Sequence, residues 1–289
     1  MMDPILDLLD RLAREAPPPT ARIAYGPAPQ QFGDLRLPAG ATSQRWPVVI
    51  VIHGGYWRAR YDLAYFGAVC GALARAGIAT WNIEYRRLGD VGGGWPGTFE
   101  DVAAAADTLR GLAARYPLDL SRAVALGHSA GGQLAMWLAA RSRLASDAPL
   151  WRADPLPIAG IVSLAGVADL RRAWELRLSD NVTETLLDGT PTQVRARYAS
   201  ASPYELLPLG VPQIMLHGTA DENVPFEISQ RYVERARALG DDARLISLIG
   251  AGHFEPVDPA TPEWAVVERE TRALLGARDA WEPAASPES

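Results

Sequence analysis

Hydrophobic positions along the chain follow two alternating patterns. Short runs of consecutive apolar residues, such as PVVIVI at 47–52, are typical of strands that are buried on both faces. Segments with apolar residues at helical spacing follow most of these runs. The alternation predicts an α/β domain over residues 23–276, with a mostly parallel sheet flanked by helices. The predicted strands are 47–52, 78–85, 123–127, 158–165, 213–217 and 245–249, preceded by short antiparallel strands within 23–38.

Four main helices are predicted between these strands. They cover 63–76, 98–115, 129–141 and 226–239, and Thr98 is the expected N-cap of the second. One connection is far longer than a usual crossover. Long connections in compact domains are usually functional, so we expect a small helical cap over the carboxyl edge of the sheet; a surface excursion without function is the alternative. This connection is 167–209, with short helical segments at 170–176, 182–187 and 192–199.

Both ends of the chain differ from the central domain. In residues 1–22, apolar residues at helical spacing precede a run of three prolines, which predicts a short amphipathic helix. These apolar residues are Ile5, Leu8, Leu9 and Leu12. We expect this helix to pack on the domain or at the edge of the mouth of the site. Residues 277–289 are rich in Pro, Ser, Ala and Glu, and this composition predicts a disordered tail.

Composition limits the partners that the chain can bind. The net charge is −6, and the basic residues are all arginines scattered along the sequence, which argues against nucleic-acid binding. No apolar stretch approaches the roughly 18 residues that a membrane span needs, and the acidic N-terminal segment has no apolar core of a signal peptide. The single cysteine, Cys70, excludes an internal disulfide. We therefore expect a cytoplasmic protein, and the sequence leaves a homodimer open.

The segment GHSAG at 127–131 matches the G-x-S-x-G pattern of a nucleophile elbow. The pattern alone is weak because Gly and Ser are common. Its position is informative, since it follows an apolar strand and opens an apolar helix, so that the hydroxyl of Ser129 would project above the edge of the sheet. The alternative is a serine that caps a helix after a glycine turn.

The sequence HGGYW directly follows the predicted strand PVVIVI. Glycines at this position allow backbone N–H groups to point towards a reacting oxygen, as in an oxyanion hole. We assign N–H donors to Gly55 and Tyr56, with Gly54 shaping the turn, and a further donor to Ala130 behind the nucleophile. His53 is expected to brace this loop by hydrogen bonding rather than to act as a base.

An acid and a base follow the last two predicted strands. Asp221 lies in HGTADENVP and His253 lies in GAGHFEP. The order Ser, Asp, His and their position beyond the carboxyl ends of parallel strands are those of a Ser-His-Asp triad in an α/β-hydrolase fold. Rival acids are Glu222, adjacent to Asp221, and two carboxylates in or near the cap, Asp169 and Asp188.

Aromatic residues close to these loops predict an apolar substrate pocket. Tyr56 and Trp57 follow the glycines of the oxyanion loop, and Trp95 lies in the glycine-rich segment VGGGWPG. Packing in the core or on the surface is the alternative for each tryptophan. The glycine run lacks the Lys-Ser/Thr of a phosphate loop, and the four histidines lack the spacing of metal ligands, so we expect neither a cofactor nor a metal.

The segments HGGYW, GHSAGG, HGTADENVP and GAGHF together resemble the α/β-hydrolase esterases. They are particularly similar to the branch that contains kynurenine formamidase (arylformamidase) and carboxylesterases related to the hormone-sensitive lipase group. The resemblance covers roughly residues 23–274, and Tyr56 stands where the hormone-sensitive lipase branch usually has a third glycine. It implies the triad Ser129, Asp221 and His253, an oxyanion hole, and activity without a cofactor.

Three functions are compatible with these residues. The first is a serine hydrolase that cleaves small or aromatic carboxylic esters through an acyl-enzyme intermediate. The second is an arylformamidase-type amide hydrolase that acts on N-formylkynurenine or related aryl formamides. The third is a non-catalytic binding protein on the same fold, which would typically lack the nucleophile or the base, whereas this chain has both.

Overall fold

The structure is a computed structural model that describes residues 4–40 and 45–276. Eight strands form one sheet. They are β1 (Ala21–Ala24), β2 (Phe32–Arg36), β3 (Trp46–Ile52), β4 (Ala79–Ile83), β5 (Leu118–His128), β6 (Ile161–Leu164), β7 (Gln213–Gly218) and β8 (Ala243–Leu248). Their order across the sheet is β1-β2-β4-β3-β5-β6-β7-β8. The pairs β1–β2 and β2–β4 are antiparallel and all others are parallel, which confirms the predicted mostly parallel sheet.

The central strand β3 shows why the hydrophobic runs form this sheet. Ile50 pairs with Trp81 on one side and with Ala125 on the other. Side chains of a strand alternate between its two faces, so Val48, Ile50 and Ile52 join one hydrophobic core while the two valines between them join a second core on the opposite face. A strand covered on both faces needs apolar residues at every position.

Ten α-helices flank the sheet within the described ranges. They are α1 (Pro4–Glu15), α2 (Gly67–Arg75), α3 (Gly97–Leu112), α4 (Ala130–Ala140), α5 (Leu170–Glu175), α6 (Val182–Leu187), α7 (Arg195–Ala201), α8 (Pro203–Leu206), α9 (Glu227–Ala238) and α10 (Pro262–Gly276). Helices α1, α2 and α10 cover one face of the sheet, and α3, α4, α9 and the short helices α5 to α8 cover the other. No helix within 4–40 and 45–276 has the length and apolarity to cross a bilayer.

The first two of the four main predicted helices begin differently in the structure. The expected helix over 63–76 is a short 3-10 helix, Leu63–Phe66, followed by α2. Thr98 is not an N-cap, because α3 begins at Gly97 and the Thr98 hydroxyl instead donates to the carbonyl of Arg86 at 2.5 Å and accepts the N–H of Gly94 at 3.0 Å. The Thr98 hydroxyl bonds to backbone groups that precede α3, and it therefore does not cap the N–H groups of the first turn.

The insertion and the N-terminal helix lie against opposite faces of the sheet. The insertion 167–209 carries α5 to α8 and bonds to α4, where the side chains of Gln133 and Trp137 donate to carbonyls of α7 at 2.8 and 2.9 Å. Helix α1 buries Leu12 completely, and Arg11 forms an ion pair with Asp258 in the loop that follows the last strand. The predicted tail, 277–289, lies outside the described residues.

Candidate active site

Ser129 lies in a tight turn between β5 and α4. Its backbone has φ 57° and ψ −120°, a conformation that non-glycine residues rarely adopt and that occurs where surrounding contacts enforce it. The Ser129 N–H donates to the carbonyl of Leu164 at 2.8 Å, and its own carbonyl accepts from Gln133 at 3.2 Å. A Cβ at Gly131 would lie 2.0 Å from the carbonyl oxygen of Ile52, so the helix approaches β3 too closely for any side chain there. The turn thus requires glycine and places Ser129 at the carboxyl edge of the sheet.

His253 and Asp221 meet beyond the ends of β8 and β7. The Nδ1 of His253 lies 2.6 Å from Oδ2 of Asp221. The other carboxylate oxygen accepts backbone N–H bonds from Asn223 at 2.8 Å and Val224 at 2.9 Å. The carboxylate can only accept when it is ionised, so Nδ1 of His253 carries a proton and Nε2 on the far side of the ring is able to take one up.

His217 is a second histidine on the same carboxylate. Its Nε2 lies 2.9 Å from the carbonyl of Val224 and 3.2 Å from Oδ2 of Asp221, and its Nδ1 lies 2.8 Å from the Ser229 hydroxyl. Burial alone would raise the pKa of Asp221, but the hydrogen bonds from His217 and His253 hold that pKa well below its ordinary value. Asp221 is therefore ionised at neutral pH although its side chain is fully buried.

The rival carboxylates have other environments. Glu222 is exposed and lines a neighbouring surface cavity. Asp169 caps α5 by accepting backbone N–H bonds, and Asp188 forms an ion pair with Arg197 at 3.0 Å. Asp221, and not one of these three carboxylates, accepts the hydrogen bond from Nδ1 of His253.

Ser129 and His253 line the same cavity, which has a volume of about 70 Å³. Its other walls are largely aliphatic and aromatic. They are Ile5, Leu9, Gly55, Tyr56, Tyr61, Tyr65, His128, Asn223 and Phe254. Helix α1 therefore forms part of this cavity through Ile5 and Leu9. Among the described residues, those of the insertion 167–209 do not contribute to its lining.

The loop after β3 has an unusual backbone. Gly55, Tyr56 and Trp57 have φ values of 104°, 51° and 56°, three consecutive residues in the left-handed region. A Cβ at Gly55 would lie 2.5 Å from Cβ of Tyr61, so this position has no room for a side chain. The Tyr56 hydroxyl donates to the carbonyl of Asn223 at 2.5 Å, which connects this loop to the loop of Asp221. Such strained segments persist where several contacts hold them, and they concentrate at functional sites.

Buried polar residues support the start of this loop. His53 places Nδ1 2.8 Å from the carbonyl of Gly54 and Nε2 3.0 Å from the carboxylate of Glu84. The Tyr85 hydroxyl donates to the His53 carbonyl at 2.9 Å. Burial would raise the pKa of Glu84, but His53 and Arg87 lower it, so the carboxylate stays ionised. His53 thus braces the loop through both ring nitrogens and is not among the residues that line the cavity.

The aromatic residues at the cavity are mostly not those expected from the sequence. Tyr56 lines it, whereas Trp57 is fully buried in the core, with its indole N–H donating to Gln133 at 3.1 Å. Trp95 packs edge-on against Phe99 at 5.7 Å. Both tryptophans have packing contacts, and neither is among the residues that line the cavity of Ser129.

Sequence reasoning missed three aromatic walls, Tyr61, Tyr65 and Phe254. Phe254 directly follows the predicted base, and this adjacency in the sequence could have indicated that its ring lies at the cavity. Tyr61 and Tyr65 are four residues apart, but Tyr61 precedes the short 3-10 helix in a loop, so no regular period marks their shared direction. Across the described ranges, no group of three or more His, Cys, Asp or Glu side chains is arranged to hold a metal ion.

Comparison with known proteins identifies the family. Residues 34–235, more than half of the chain, match the sequence model of the BD-FAE family. The chain belongs to the BD-FAE family. This BD-FAE chain is also 28% identical to esterase LipC of Mycobacterium tuberculosis over 251 residues, which cover 83% of the chain and 60% of that protein. It is 26% identical to a probable isoprenylcysteine alpha-carbonyl methylesterase, ICMEL1 of Arabidopsis thaliana, over 81% of the chain and 50% of that protein.

The BD-FAE chain thus spans only 50 to 60% of the length of these two relatives. Among solved structures, it is similar to esterase B from Lactobacillus rhamnosis, with a TM-score of 0.80 and 22% identity over 95% of the chain and 94% of that structure. A truncated carbohydrate esterase from gut microbiota gives a TM-score of 0.76 and 22% identity over 90% and 97%. Likeness at this identity shows the fold, and the predicted α/β-hydrolase fold is confirmed.

Proposed function

We propose that this BD-FAE chain is a serine hydrolase that cleaves small or aromatic carboxylic esters through an acyl-enzyme intermediate. One observation carries the proposal. Ser129, in a strained turn, lines the same cavity as His253, whose Nδ1 is bonded to the buried carboxylate of Asp221. The similarity to a protein named as an esterase supports the same reaction class.

In the proposed reaction, the Ser129 hydroxyl oxygen attacks the ester carbonyl carbon while Nε2 of His253 takes up its proton. Asp221 keeps Nδ1 protonated and stabilises the imidazolium. The N–H groups of Gly55, Tyr56 and Ala130 are the proposed donors to the oxyanion. Collapse of the tetrahedral intermediate breaks the bond to the alcohol oxygen, which takes the proton from His253. Water then attacks the acyl-enzyme by the same route, and Ser129 is regenerated.

The size and lining of the cavity favour small substrates. A volume of about 70 Å³ bounded by tyrosines, Phe254 and aliphatic side chains of α1 suits a short acyl or a flat aromatic group. Polar recognition groups are few there, so shape and apolar contact would govern selection. A formyl group would also be accommodated, and the formamidase alternative is therefore tested in the same experiment.

The test is a kinetic panel on the purified chain with p-nitrophenyl acetate, p-nitrophenyl butyrate, phenyl acetate and N-formylkynurenine. We expect ester hydrolysis by the wild type and a loss of at least about 10³-fold in Ser129→Ala, because the nucleophile is removed. Ser121→Ala is the matched control, since this exposed serine of β5 bonds to the nearby Asp119 at 2.7 Å.

A fluorophosphonate that labels serine nucleophiles provides an independent readout. Mass spectrometry should place the label on Ser129 in the wild type and in Ser121→Ala. Ester turnover that persists in a folded Ser129→Ala variant would refute the proposal. Turnover of N-formylkynurenine with little turnover of any ester would instead favour the formamidase.

A further inference from the structure

A chain of buried hydrogen bonds connects three loops of the candidate site. The N–H of Gly54 donates to the hydroxyl of Tyr65 at 2.7 Å. The Tyr65 hydroxyl lies 3.2 Å from Nδ1 of His128, and Nε2 of His128 lies 3.0 Å from the backbone carbonyl of His253. His128 immediately precedes Ser129. The chain therefore runs from the loop after β3, past the nucleophile, to the loop of the base.

The chemistry of its two ends sets the direction of every bond. An N–H can only donate and a carbonyl can only accept, so the Gly54 end supplies a proton and the His253 end requires one. Burial, together with the nearby His253, lowers the pKa of His128 well below its ordinary value, so its ring is neutral and has a single proton. That proton must be on Nε2, facing the His253 carbonyl. Nδ1 is then an acceptor, and the Tyr65 hydroxyl donates to it.

We propose that Tyr65 and His128 are positioning residues that hold the oxyanion loop and the base loop in place relative to Ser129. The proposal rests on the serine-hydrolase function proposed above. At one end, the bond to Tyr65 orients the peptide of Gly54, which directly precedes the expected donor Gly55. At the other end, His128 holds the backbone of His253 itself. Hydrolytic rates are sensitive to such placement, because a displacement of about 1 Å can cost roughly 10²-fold.

A neutral ring is also the form that suits this position. The rings of His128 and His253 are 4.5 Å apart, and His128 also packs beside Phe66 and Phe254. His253 becomes positively charged when it takes up the serine proton. A second cation at 4.5 Å in these apolar surroundings would oppose that step, whereas a neutral Nε2–H tautomer supplies a hydrogen bond without a charge.

The first test removes the hydroxyl of Tyr65 and keeps its ring. We expect Tyr65→Phe to lower kcat for p-nitrophenyl acetate by about 10- to 100-fold while KM changes less than about 2-fold, because the loops are displaced but the apolar walls remain. The control is Tyr232→Phe. Tyr232 is also fully buried, and its hydroxyl donates to Gln213 at 2.6 Å at the start of β7, away from the cavity.

The second test asks whether the two residues act as one unit. His128→Phe removes both ring nitrogens, and His128→Gln keeps an amide donor for the His253 carbonyl. We expect Gln to retain several-fold more kcat than Phe. The double variant Tyr65→Phe/His128→Phe should lose no more than His128→Phe alone, because both substitutions interrupt the same chain.

All rates are expressed per active site titrated with a fluorophosphonate, so that unfolded protein does not count as lost activity. A Tyr65→Phe variant with the kcat of Tyr232→Phe, or losses that multiply in the double variant, would overturn the proposal. If Tyr65→Phe does not fold, the comparison of His128→Gln with His128→Phe decides. A wild type that hydrolyses no ester would refute the proposed function instead, and the two failures are therefore distinguishable.

Discussion

At the scale of single residues, the loop after β3 shows how backbone strain serves a site. Left-handed conformations at Tyr56 and Trp57 are unfavourable for residues with a Cβ, at a cost of order 1–3 kcal/mol each. Burial of the Trp57 indole and the bond from Tyr56 to Asn223 offset this cost. In the proposed reaction, this loop supplies the N–H donors of Gly55 and Tyr56 to the oxyanion.

Gly55 gives the residue-scale prediction. Gly55→Ala places a Cβ 2.5 Å from Tyr61 at a φ of 104°, so either the loop or Tyr61 must move. We expect kcat to fall by about 10²-fold through misplaced donors, with a melting temperature lowered by only a few degrees. Gly111→Ala in α3 is the control, because its Cβ meets nothing within 4 Å. Full turnover in a folded Gly55→Ala variant would remove this loop from the oxyanion hole.

Particular residues show what the sequence could predict of the site. Ser129, Asp221 and His253 were assigned because each follows a strand that an apolar run marks, and parallel strands end at one edge of the sheet. The two tryptophans that the sequence places near the site, Trp57 and Trp95, do not line the cavity of Ser129. Trp57 lies next to residues that line the cavity, but a left-handed φ of 56° sends its side chain to the core, and no periodic pattern encodes such a turn.

At the scale of elements, the sequence predicted the N-terminal helix but not the surface that this helix covers. Helical spacing predicted α1 and its apolar face, and the structure contains it as Pro4–Glu15. The spacing could not say what that face covers. It buries Leu12 in one core and extends Ile5 and Leu9 into the cavity of Ser129. The insertion 167–209 has short helices as expected, with α6 at the predicted bounds, yet the described cavity is walled by α1.

This placement predicts that α1 determines which acyl lengths are accepted. Ile5 is only half-buried, so Ile5→Ala should enlarge the cavity at little cost to folding, and Ile5→Phe should reduce it. We expect the ratio of kcat/KM for p-nitrophenyl hexanoate over acetate to rise about 3- to 10-fold in Ile5→Ala, which is near the lower end of the roughly 1–3 kcal/mol that one methylene provides in a hydrophobic pocket, and to fall in Ile5→Phe. Asp10→Ala, exposed on the same helix, should leave it unchanged. Equal ratios in all variants would contradict a contact between α1 and the acyl chain.

At the scale of the whole molecule, the alternation of strands and helices predicted the parallel sheet but not its order. Strand β4 lies between β2 and β3, and β3 pairs with β5; such non-sequential neighbours arise from crossovers that leave no local trace in the sequence. Helix α10 was not predicted, since its apolar positions are interrupted by charged residues. The cytoplasmic location and a homodimer remain predictions.

Buried titratable groups make the stability of the whole fold depend on pH. The ring of His128 stays neutral when folded, and its pKa lies well below the ordinary 6.5. Below pH 6.5 the unfolded chain therefore binds a proton that the folded chain does not, so the free energy of unfolding decreases as the pH falls. Asp221 acts in the same direction at lower pH. Its folded pKa is depressed, so its contribution is present above the ordinary value of about 4 and is lost as the pH falls towards the folded pKa.

His128→Gln separates the two contributions, because it removes the histidine and keeps Asp221. Urea unfolding of both proteins between pH 8 and pH 4 should show a wild-type advantage that is constant at high pH and then shrinks by up to about 1.4 kcal/mol per pH unit once the unfolded histidine titrates. The carboxylates titrate alike in both proteins and cancel in the difference. Parallel profiles over the whole range would mean that His128 takes up its proton as readily when folded as when unfolded. That result would contradict the assignment of a neutral His128 ring, on which the directions of the hydrogen bonds between Tyr65 and His253 depend.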